Sequence, residues 1–509
     1  MRSYRGLTAL WLLVFASLIL WIIASGRWPL EPEEAQYWDW SRRLDWSYYS
    51  KGPMVAYLIA MSTSLGGDSE FWVRLPAVIL GIGLAGIAYF LARMIFQSDR
   101  AGFLSVVLLS LMPLYAAGFV LMTTDTPFIF FWGLTSLFLC RAIQRRGEGS
   151  WYGAGIAFGL GLLSKYTMLM LLPCALLWLL VSPNLRPWLR RREPYEAAFL
   201  GFLIFSPVMV WNTRHGWVSS HHVFTQAGGG GSSWTLASLL GGLEFLGGQV
   251  LLGGIFLFVL MSLAVAWAWH EGFRQGREDL LLLVCVSAPV FIFFQLWSLA
   301  TKVQGNWAAH AYFGAAVAAA GWAETWPRWR ERRRTTKRLN GLLLASIITL
   351  AVVISVIVVL DLWAPFGLRI PTRLDLVSKR LRGWPELGQA VGALERDAAT
   401  RPFLVSDRYQ IASELAFYVK GHPRVYSANL GRRMNQYDLW GGWDALRGRD
   451  GLFVTYGAGD PPGELRTAFR EVERLRVVQI AYRGQHLRDF SIFLGRDFQG
   501  FPPRAFTGY

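Results

Sequence analysis

Cysteine is almost missing from this chain: Cys140, Cys174 and Cys285 are the only three in 509 residues, and each lies inside an apolar run. That excludes a disulfide framework and a cysteine zinc cluster, and leaves small packed core positions as their role. Histidine is scarce too, at seven, with no HExxH and no Cys/His ligand spacing. No cofactor is required, and a divalent ion has no ligand pattern to support it. Charge is low as well: 17% of residues are charged against 53% hydrophobic, and the mean hydropathy is +0.33, which excludes an ordinary soluble protein of this size. Acidic residues number 34 against 50 lysines and arginines, giving a net charge of +16. The basic bias of membrane loops on one face accounts for that excess, so no nucleic-acid partner is expected. No internal repeat is evident.

What is abundant is long apolar segments. Crossing ~30 Å of hydrocarbon takes about 20 residues. Spans are expected near 7–25, 73–97, 101–119, 126–143, 195–211, 247–269, 280–299, 308–324 and 340–361. Residues Trp151 to Val181 form a longer stretch interrupted by Ser164-Lys165-Tyr166. A lysine in mid-membrane is costly, so two short helices meeting at a polar apex fit better than one long one. The total is about eleven transmembrane helices. The MRSYR start and its apolar run are expected to be an uncleaved first helix rather than a signal peptide.

Basic residues fall at alternate loops: Arg2 and Arg5, Arg100, Arg141 with Arg145 and Arg146, Arg186 with Arg190 to Arg192, Arg274 with Arg277, and the run Trp326 to Arg338. These are expected to be cytoplasmic, with the N-terminus on the same side. Beyond Trp363 hydropathy falls, and short apolar runs appear at Phe403–Ser406, Arg424–Ser427, Gly451–Tyr456, Val477–Tyr482 and Phe490–Leu494, with a helix-like Ile411 to Lys420 among them. The chain therefore divides into a transmembrane part, 1–361, and a C-terminal soluble α/β domain, 362–509, on the external face.

The other loops share that external compartment, and nearly all chemically interesting residues fall there. The first, EPEEAQYWDWSRRLDWSYYSKGP from Glu31 to Pro53, is a large polar insert between apolar segments. Glu33 and Glu34, followed by Tyr37, suit either a helix start, where carboxylates are favoured, or acid–base work. Lys51, beside Tyr48 and before Gly52-Pro53, suits either snorkelling to headgroups or binding a lipid-linked phosphate. Asp125 in TTDTP caps a helix or serves a site. Lys165, Lys302 and Arg214 add cations, and His215, His221 and His222 line a loop bearing the tetraglycine 228–231. Several cations facing one cleft suit a departing phosphate.

In order along residues 30–310 run EPEEAQYW, YYSKGPM, FWVRLPAVILG, TTDTPF, GLLSKYTM, WNTRHGWVSSHHVF and KVQGNW. This set resembles the bacterial integral-membrane, polyprenyl-phosphate-sugar-dependent glycosyltransferases of GT-C fold, related to the aminoarabinose transferase of lipid A and the dolichyl-phosphate-mannose protein mannosyltransferases. The resemblance implies that Glu33 is the base or acceptor-positioning acid with Glu34 beside it. It also implies that Tyr37, Tyr48 and Asp125 bind substrate and that Lys51 contacts the donor phosphate, Lys165 matching a recurrent lysine of less defined role. Three departures stand out: Glu33 replaces an aspartate, Ser50 replaces a carboxylate, and Gly52-Pro53 replaces Pro-Pro.

The expected activity is inverting transfer of a sugar from a polyprenyl-phosphate donor, of undecaprenyl type, to lipid A, lipopolysaccharide, another glycan or a protein at the periplasmic face of the inner membrane. His222, Glu34, Tyr37, Tyr48 and Asp125 are expected to bind substrate, and Lys51, Lys165, Arg214 and Lys302 the phosphate. The competing expectation is a transporter or flippase of a lipid-linked saccharide, which normally places its substrate at the bilayer midplane between repeats.

Overall fold

The computed structural model describes residues 2–145, 148–226, 236–325, 380–482 and 484–502, with isolated positions between 341 and 348. The expected span 340–361, the basic run Trp326 to Arg338, the tetraglycine and the boundary at 361/362 lie outside the described residues. The chain forms two compact units: Met1–Trp21, Leu75–Trp211 and Ala227–Gly367 in one, and Ile22–Arg74, Asn212–Gln226 and Leu368–Tyr509 in the other. The C-terminal region thus clusters with the first large loop and a short piece of a later one.

The first unit is helical. Among the described residues, six helices are long and apolar enough to cross a membrane: Tyr4–Ala24, Glu70–Phe96, Asp125–Gln144, Glu193–Arg214, Ile255–Gln275 and Glu278–Trp297. A seventh arises if Tyr166–Val181 and Pro183–Arg190, bent by 120°, count as one. In chain order the helices are α1 (Arg2–Ala24), α2 (Pro32–Ser41), α3 (Met54–Gly66), α4 (Glu70–Phe96), α5 (Asp99–Leu111), α6 (Pro113–Gly118), α7 (Asp125–Arg145), α8 (Glu148–Ser164), α9 (Leu171–Val181), α10 (Glu193–Arg214), α11 (Val218–Gln226), α12 (Leu236–Gly253), α13 (Ile255–Gln275), α14 (Glu278–Cys285), α15 (Ala288–Trp297) and α16 (Ala311–Thr325), of which α2, α3 and α11 belong to the second unit. The protein is a multi-pass membrane protein.

Three expected spans are cut where hydropathy alone cannot see a break. Pro113 opens a new helix at Met112, dividing 101–119, because its ring excludes the helical conformation from the residue before it. Gly254, at φ +80°, ends α12 and starts α13, so 247–269 is a junction of two helices. Ser287 and the proline behind it separate α14 from α15 within 280–299. The Trp151 to Val181 stretch does turn at Lys165, whose extended backbone (φ −155°) separates α8 from a short 3-10 segment leading into α9. Gly155 and Gly159 let α8 lie against α10, since a Cβ at Gly155 would sit 2.4 Å from the Ala197 carbonyl oxygen.

In the second unit the C-terminal residues build a five-stranded sheet of order β2-β1-β3-β5-β4 from β1 (Phe403–Ser406), β2 (Val425–Ser427), β3 (Gly451–Tyr456), β4 (Phe469–Tyr482) and β5 (Gln485–Phe498). β1 pairs in parallel with β2 and β3, and β5 runs antiparallel to β3 and β4. Val405, Phe453, Phe469, Phe493 and Phe498 fill one core. β4 is longer than the expected Val477–Tyr482: its first half carries Arg470, Glu471, Glu473, Arg474 and Arg476 and so shows no hydropathy signal. On an edge strand those charges discourage pairing with another chain. The longer helices of this region are α17 (Trp384–Asp397) and α18 (Tyr409–Tyr418), with shorter ones at Gln436–Trp440 and Gly463–Ala468. α18 packs on α2, with the Trp38 and Phe417 rings edge to face at 4.9 Å and Ser413 Oγ donating to the Pro32 carbonyl at 3.2 Å.

Candidate active site

The sequence Glu31-Pro32-Glu33-Glu34 starts α2 by several mechanisms at once. Pro32 occupies the first helical position, where its missing N–H costs nothing, and acids fill the first turn, where the helix dipole favours them. Glu31 is the N-cap: its carboxylate accepts from the Glu33 N–H at 2.8 Å while Glu34 accepts from the Glu31 N–H at 3.0 Å, forming a capping box with acids at both ends. Nine of the ten residues of α2 are buried, among them Tyr37, Trp38 and Trp40.

Glu34 has no exposed surface and is held by Arg74, which donates from Nη2 at 2.6 Å and from Nε at 3.0 Å. The same guanidinium donates to the carbonyls of Trp28 at 2.6 Å and Pro29 at 2.8 Å. A charge taken out of water survives only when paired and hydrogen-bonded in this way. The substrate-binding part expected of Glu34 therefore gives way to a structural one: its carboxylate fixes the start of α2.

Glu33 is different: 42% of its side chain is exposed, and Arg380 Nη2 lies 3.5 Å from its carboxylate. Arg380 also donates from Nε to Glu31 at 2.6 Å, so one guanidinium serves two carboxylates. Burial, reinforced by the neighbouring Glu33 charge, pushes the Glu31 carboxyl up to about 7. Behind them Glu414 on α18 is buried, with both oxygens unpartnered among the described residues, and burial next to Glu31 and Glu34 raises it well above the usual carboxylate range.

The turn that carries Lys51 is pinned from several sides. The Tyr48 N–H donates to the Lys51 carbonyl at 3.2 Å, and Lys51 itself is partly exposed. Tyr48 stacks on Trp40 at 4.4 Å, and Tyr37 meets the other part of that ring system edge to face at 5.1 Å. The Tyr48 hydroxyl donates toward the Trp40 and Arg43 carbonyls at 3.0 and 3.2 Å and accepts from the Asp45 N–H at 3.3 Å. From α11, Ser219 Oγ donates to the Tyr48 carbonyl at 3.0 Å and the His222 ring lies 4.9 Å from that of Tyr49. From the C-terminal region, Gln436 Oε1 accepts from the Tyr49 N–H at 2.6 Å. Gln436 is placed by its own capping box, Asn435 with Asp438, and by the Arg432 fork on Asp438 at 2.7 and 3.0 Å. Arg214, at the exposed end of α10, sits 5.7 Å from the Trp46 ring. Tyr48 and Tyr37 thus act through packing. Tyr48→Phe keeps the stack but strands buried carbonyls, so a loss of about 1–3 kcal/mol is expected in denaturant unfolding of the purified protein.

In the first unit, Lys165 Nζ lies 2.5 Å from Asp125 Oδ1, and Asn306 Nδ2 donates to the other oxygen at 2.6 Å. Lys165 is buried, which explains the pairing: an unpaired ammonium at the apex of an apolar hairpin would be expensive. Asp125 and Asn306 line a cavity of about 180 Å³ whose other walls include Leu80, Leu84, Leu114, Phe119 and Ile129. Lys302 instead faces Glu244 at 3.6 Å, and both side chains are highly exposed. Among the described residues no three His, Cys, Asp or Glu side chains come together as a metal site.

Sequence reasoning missed Glu31, Arg380, Gln436, Ser219 and Asn306. Glu31 had a signal, an acid just before Pro32 at a helix start, and Asn306 lay in the quoted KVQGNW. Ser219 lay in the quoted WNTRHGWVSSHHVF, while Arg380 and Gln436 reach the site only through long-range packing, and nothing local marks them.

The family model of the dolichyl-phosphate-mannose-protein mannosyltransferases matches residues 50–211. The chain is 28% identical over 400 residues to a lipid A galacturonosyltransferase of Rhizobium johnstonii, covering 78% of this chain and 79% of that one. It is 26% identical over 189 residues to an undecaprenyl phosphate-α-4-amino-4-deoxy-L-arabinose arabinosyl transferase of Pectobacterium atrosepticum, about a third of either chain (34%). The crystal structure of ArnT from Cupriavidus metallidurans, solved both free and bound to undecaprenyl phosphate, superposes with a TM-score of 0.62 over 95% of this chain and 97% of that one. At 14% identity that likeness speaks for the fold. With the sequence matches reaching through most of the chain and the fold agreeing nearly end to end, the protein has the GT-C fold and is similar to integral-membrane glycosyltransferases.

Proposed function

We propose that this protein transfers one sugar from a polyprenyl-phosphate donor, of undecaprenyl type, to lipid A or a lipopolysaccharide acceptor at the periplasmic face of the bacterial inner membrane. The observation that carries this reading is the likeness to a lipid A galacturonosyltransferase over 78% of the chain. The N-terminus is cytoplasmic, and the 362–509 region is a periplasmic α/β domain following a 1–361 transmembrane part. This orientation is supported by the alternation of basic loops.

In the proposed mechanism Glu33 takes the proton of the acceptor hydroxyl as that oxygen bonds to the anomeric carbon. The bond from carbon to the phosphate oxygen breaks, its electron pair leaving with the polyprenyl phosphate. A single displacement inverts the anomeric centre. Glu33 suits the base role as the acid of the α2 first turn with substantial exposure. Lys51 is proposed to stabilise the departing phosphate, helped by Arg214 on its exposed helix end. Lys165 and Lys302 are proposed as further phosphate cations; Lys165 would have to share its charge with Asp125, which makes Lys51 the first choice. Asp125, His222, Tyr37 and Tyr48 shape the substrate region.

The test is the purified protein in lipid nanodiscs with a panel of undecaprenyl-phosphate sugars and lipid A, read by mass spectrometry. One donor is expected to add a single sugar to lipid A and release undecaprenyl phosphate in equal amount. Lipid movement across reconstituted vesicles with no new glycosidic bond would overturn the reading. Lys51→Ala is expected to lower transfer by about a hundredfold, the scale of losing one donor to a developing anion.

A further inference from the structure

The reading of Glu33 as base leaves Arg380 and Glu31 without a part in the reaction, yet their geometry ties both to it. Arg380 lies beyond the transmembrane part of the chain, 63% of its side chain is exposed, and its guanidinium spans Glu31 at 2.6 Å and Glu33 at 3.5 Å. Glu31 is fixed: it is buried, one oxygen accepts the Glu33 N–H, and the other faces Arg380. Glu33 is not fixed in this way and keeps the exposure a base needs. One cation is therefore divided between a buried, hydrogen-bonded carboxylate and a more exposed one.

We propose that Arg380, supplied by the C-terminal region, is a positioning residue for Glu33, and that the protonation of Glu31 decides how much of its guanidinium Glu33 receives. With Glu31 neutral, Glu33 is the charged partner left to Arg380 among the described residues, and Arg380 holds that carboxylate as an ion pair, a poor proton acceptor. With Glu31 ionised, the shorter contact draws Arg380 away, and Glu33 is released to the acceptor hydroxyl. No other reactant is needed; the only proton exchanged is that of Glu31 with water.

The groups facing Glu31 all belong to this balance. On its own helix these are Glu33 and Glu34, the latter neutralised by Arg74 of α4. From α18 they are Tyr409, whose hydroxyl burial keeps protonated, and Glu414, whose carboxyl burial raises well above the usual carboxylate range. Arg433 acts on Tyr409, and Arg380 is the cation on Glu31 itself. Burial and the Glu33 charge place the Glu31 titration at about 7, within the range where a transferase can be assayed.

The inference rests on the proposed transfer reaction, and its test is the pH dependence of kcat/KM for the full-length protein with the donor that works. The wild type is expected to gain activity through about pH 7, rising by about tenfold per unit on the acid limb. Glu31→Gln keeps an oxygen for the helix cap and is expected to flatten that limb to within about twofold. Arg380→Gln leaves no cation to hold Glu33 at low pH and is expected to flatten the limb as well, with activity below pH 7 raised several-fold over the wild type and KM little changed. Arg380→Lys is expected to restore the limb toward the wild-type position. An unchanged limb in Glu31→Gln, or an Arg380→Gln protein that loses only yield or KM, would overturn the proposal. If Arg380→Gln does not fold, judged by melting temperature and a single gel-filtration peak, Arg380→Lys and Glu31→Gln decide it. A wild-type protein that transfers no sugar overturns the function; a wild-type protein that transfers, with variants of unaltered pH profile, overturns this inference alone.

Discussion

Glu33→Gln is expected to lower sugar transfer by about 10²–10⁴-fold, the usual contribution of a positioned general base, while the protein still folds. The substitution removes the ability to accept a proton and changes little else. Glu33 is 42% exposed, its contact with Arg380 is a loose 3.5 Å, and the helix cap is made by its neighbours. A surface change away from caps and cores stays within about 0.5 kcal/mol, so the melting temperature of the variant should match the wild type. Steady-state transfer to lipid A, with the melting curve measured on the same preparation, checks both halves. A folded Glu33→Gln protein with near-normal transfer would remove Glu33 from the mechanism and return the base role to be sought elsewhere.

Arg74→Ala should behave in the opposite way, with a loss of about 3–5 kcal/mol in stability before any question of chemistry arises. Arg74 and Glu34 are 1% and 0% exposed, so removing either leaves a bare charge in a dry place. The loss is compounded because the guanidinium also satisfies the Trp28 and Pro29 carbonyls, and Glu34 also caps the helix. Replacing both partners with apolar residues should cost less than either alanine substitution, since no uncompensated charge remains. Unfolding by urea in detergent, comparing Arg74→Ala, Glu34→Ala and the double variant Arg74→Met with Glu34→Leu, tests the order. Equal losses in Arg74→Ala and the double variant, with little loss in Glu34→Ala, would show that the carbonyl contacts, not the ion pair, carry the effect. Two adjacent acids, Glu33 and Glu34, are thus expected to fail in different ways, one in rate and one in folding.

The contrast shows what was legible in the residues and what was not. Glu33 and Glu34 look alike as letters, and the fact that separates them, an arginine 40 residues on at the foot of α4, has no local trace. Lys51 was readable from its place before Gly52-Pro53, but the clamps on its turn, Ser219 and Gln436, come from far along the chain. Asp125 and Lys165 were readable as separate polar points between apolar runs, whereas their pairing at 2.5 Å follows from how α7 and α8 pack. Lys302, with the same charge, faces Glu244 in the open instead. The strands of the C-terminal sheet were readable where both faces are apolar, as in β1 and β3, and unreadable in the charged first half of β4.

By itself the sequence determined that this is a polytopic membrane protein with a polar first loop, because apolar length and basic-loop alternation are local quantities that a bilayer reads directly. It also determined the start of α2, since a proline, a cap acid and first-turn acids act within a few residues. Only the tertiary structure decided that Glu34 is a buried strut, that Glu33 stays open, and that Arg380 is shared between Glu31 and Glu33. The physical reason is that burial and charge pairing depend on residues brought together across hundreds of positions, and a carboxylate's role follows from its surroundings rather than from its name.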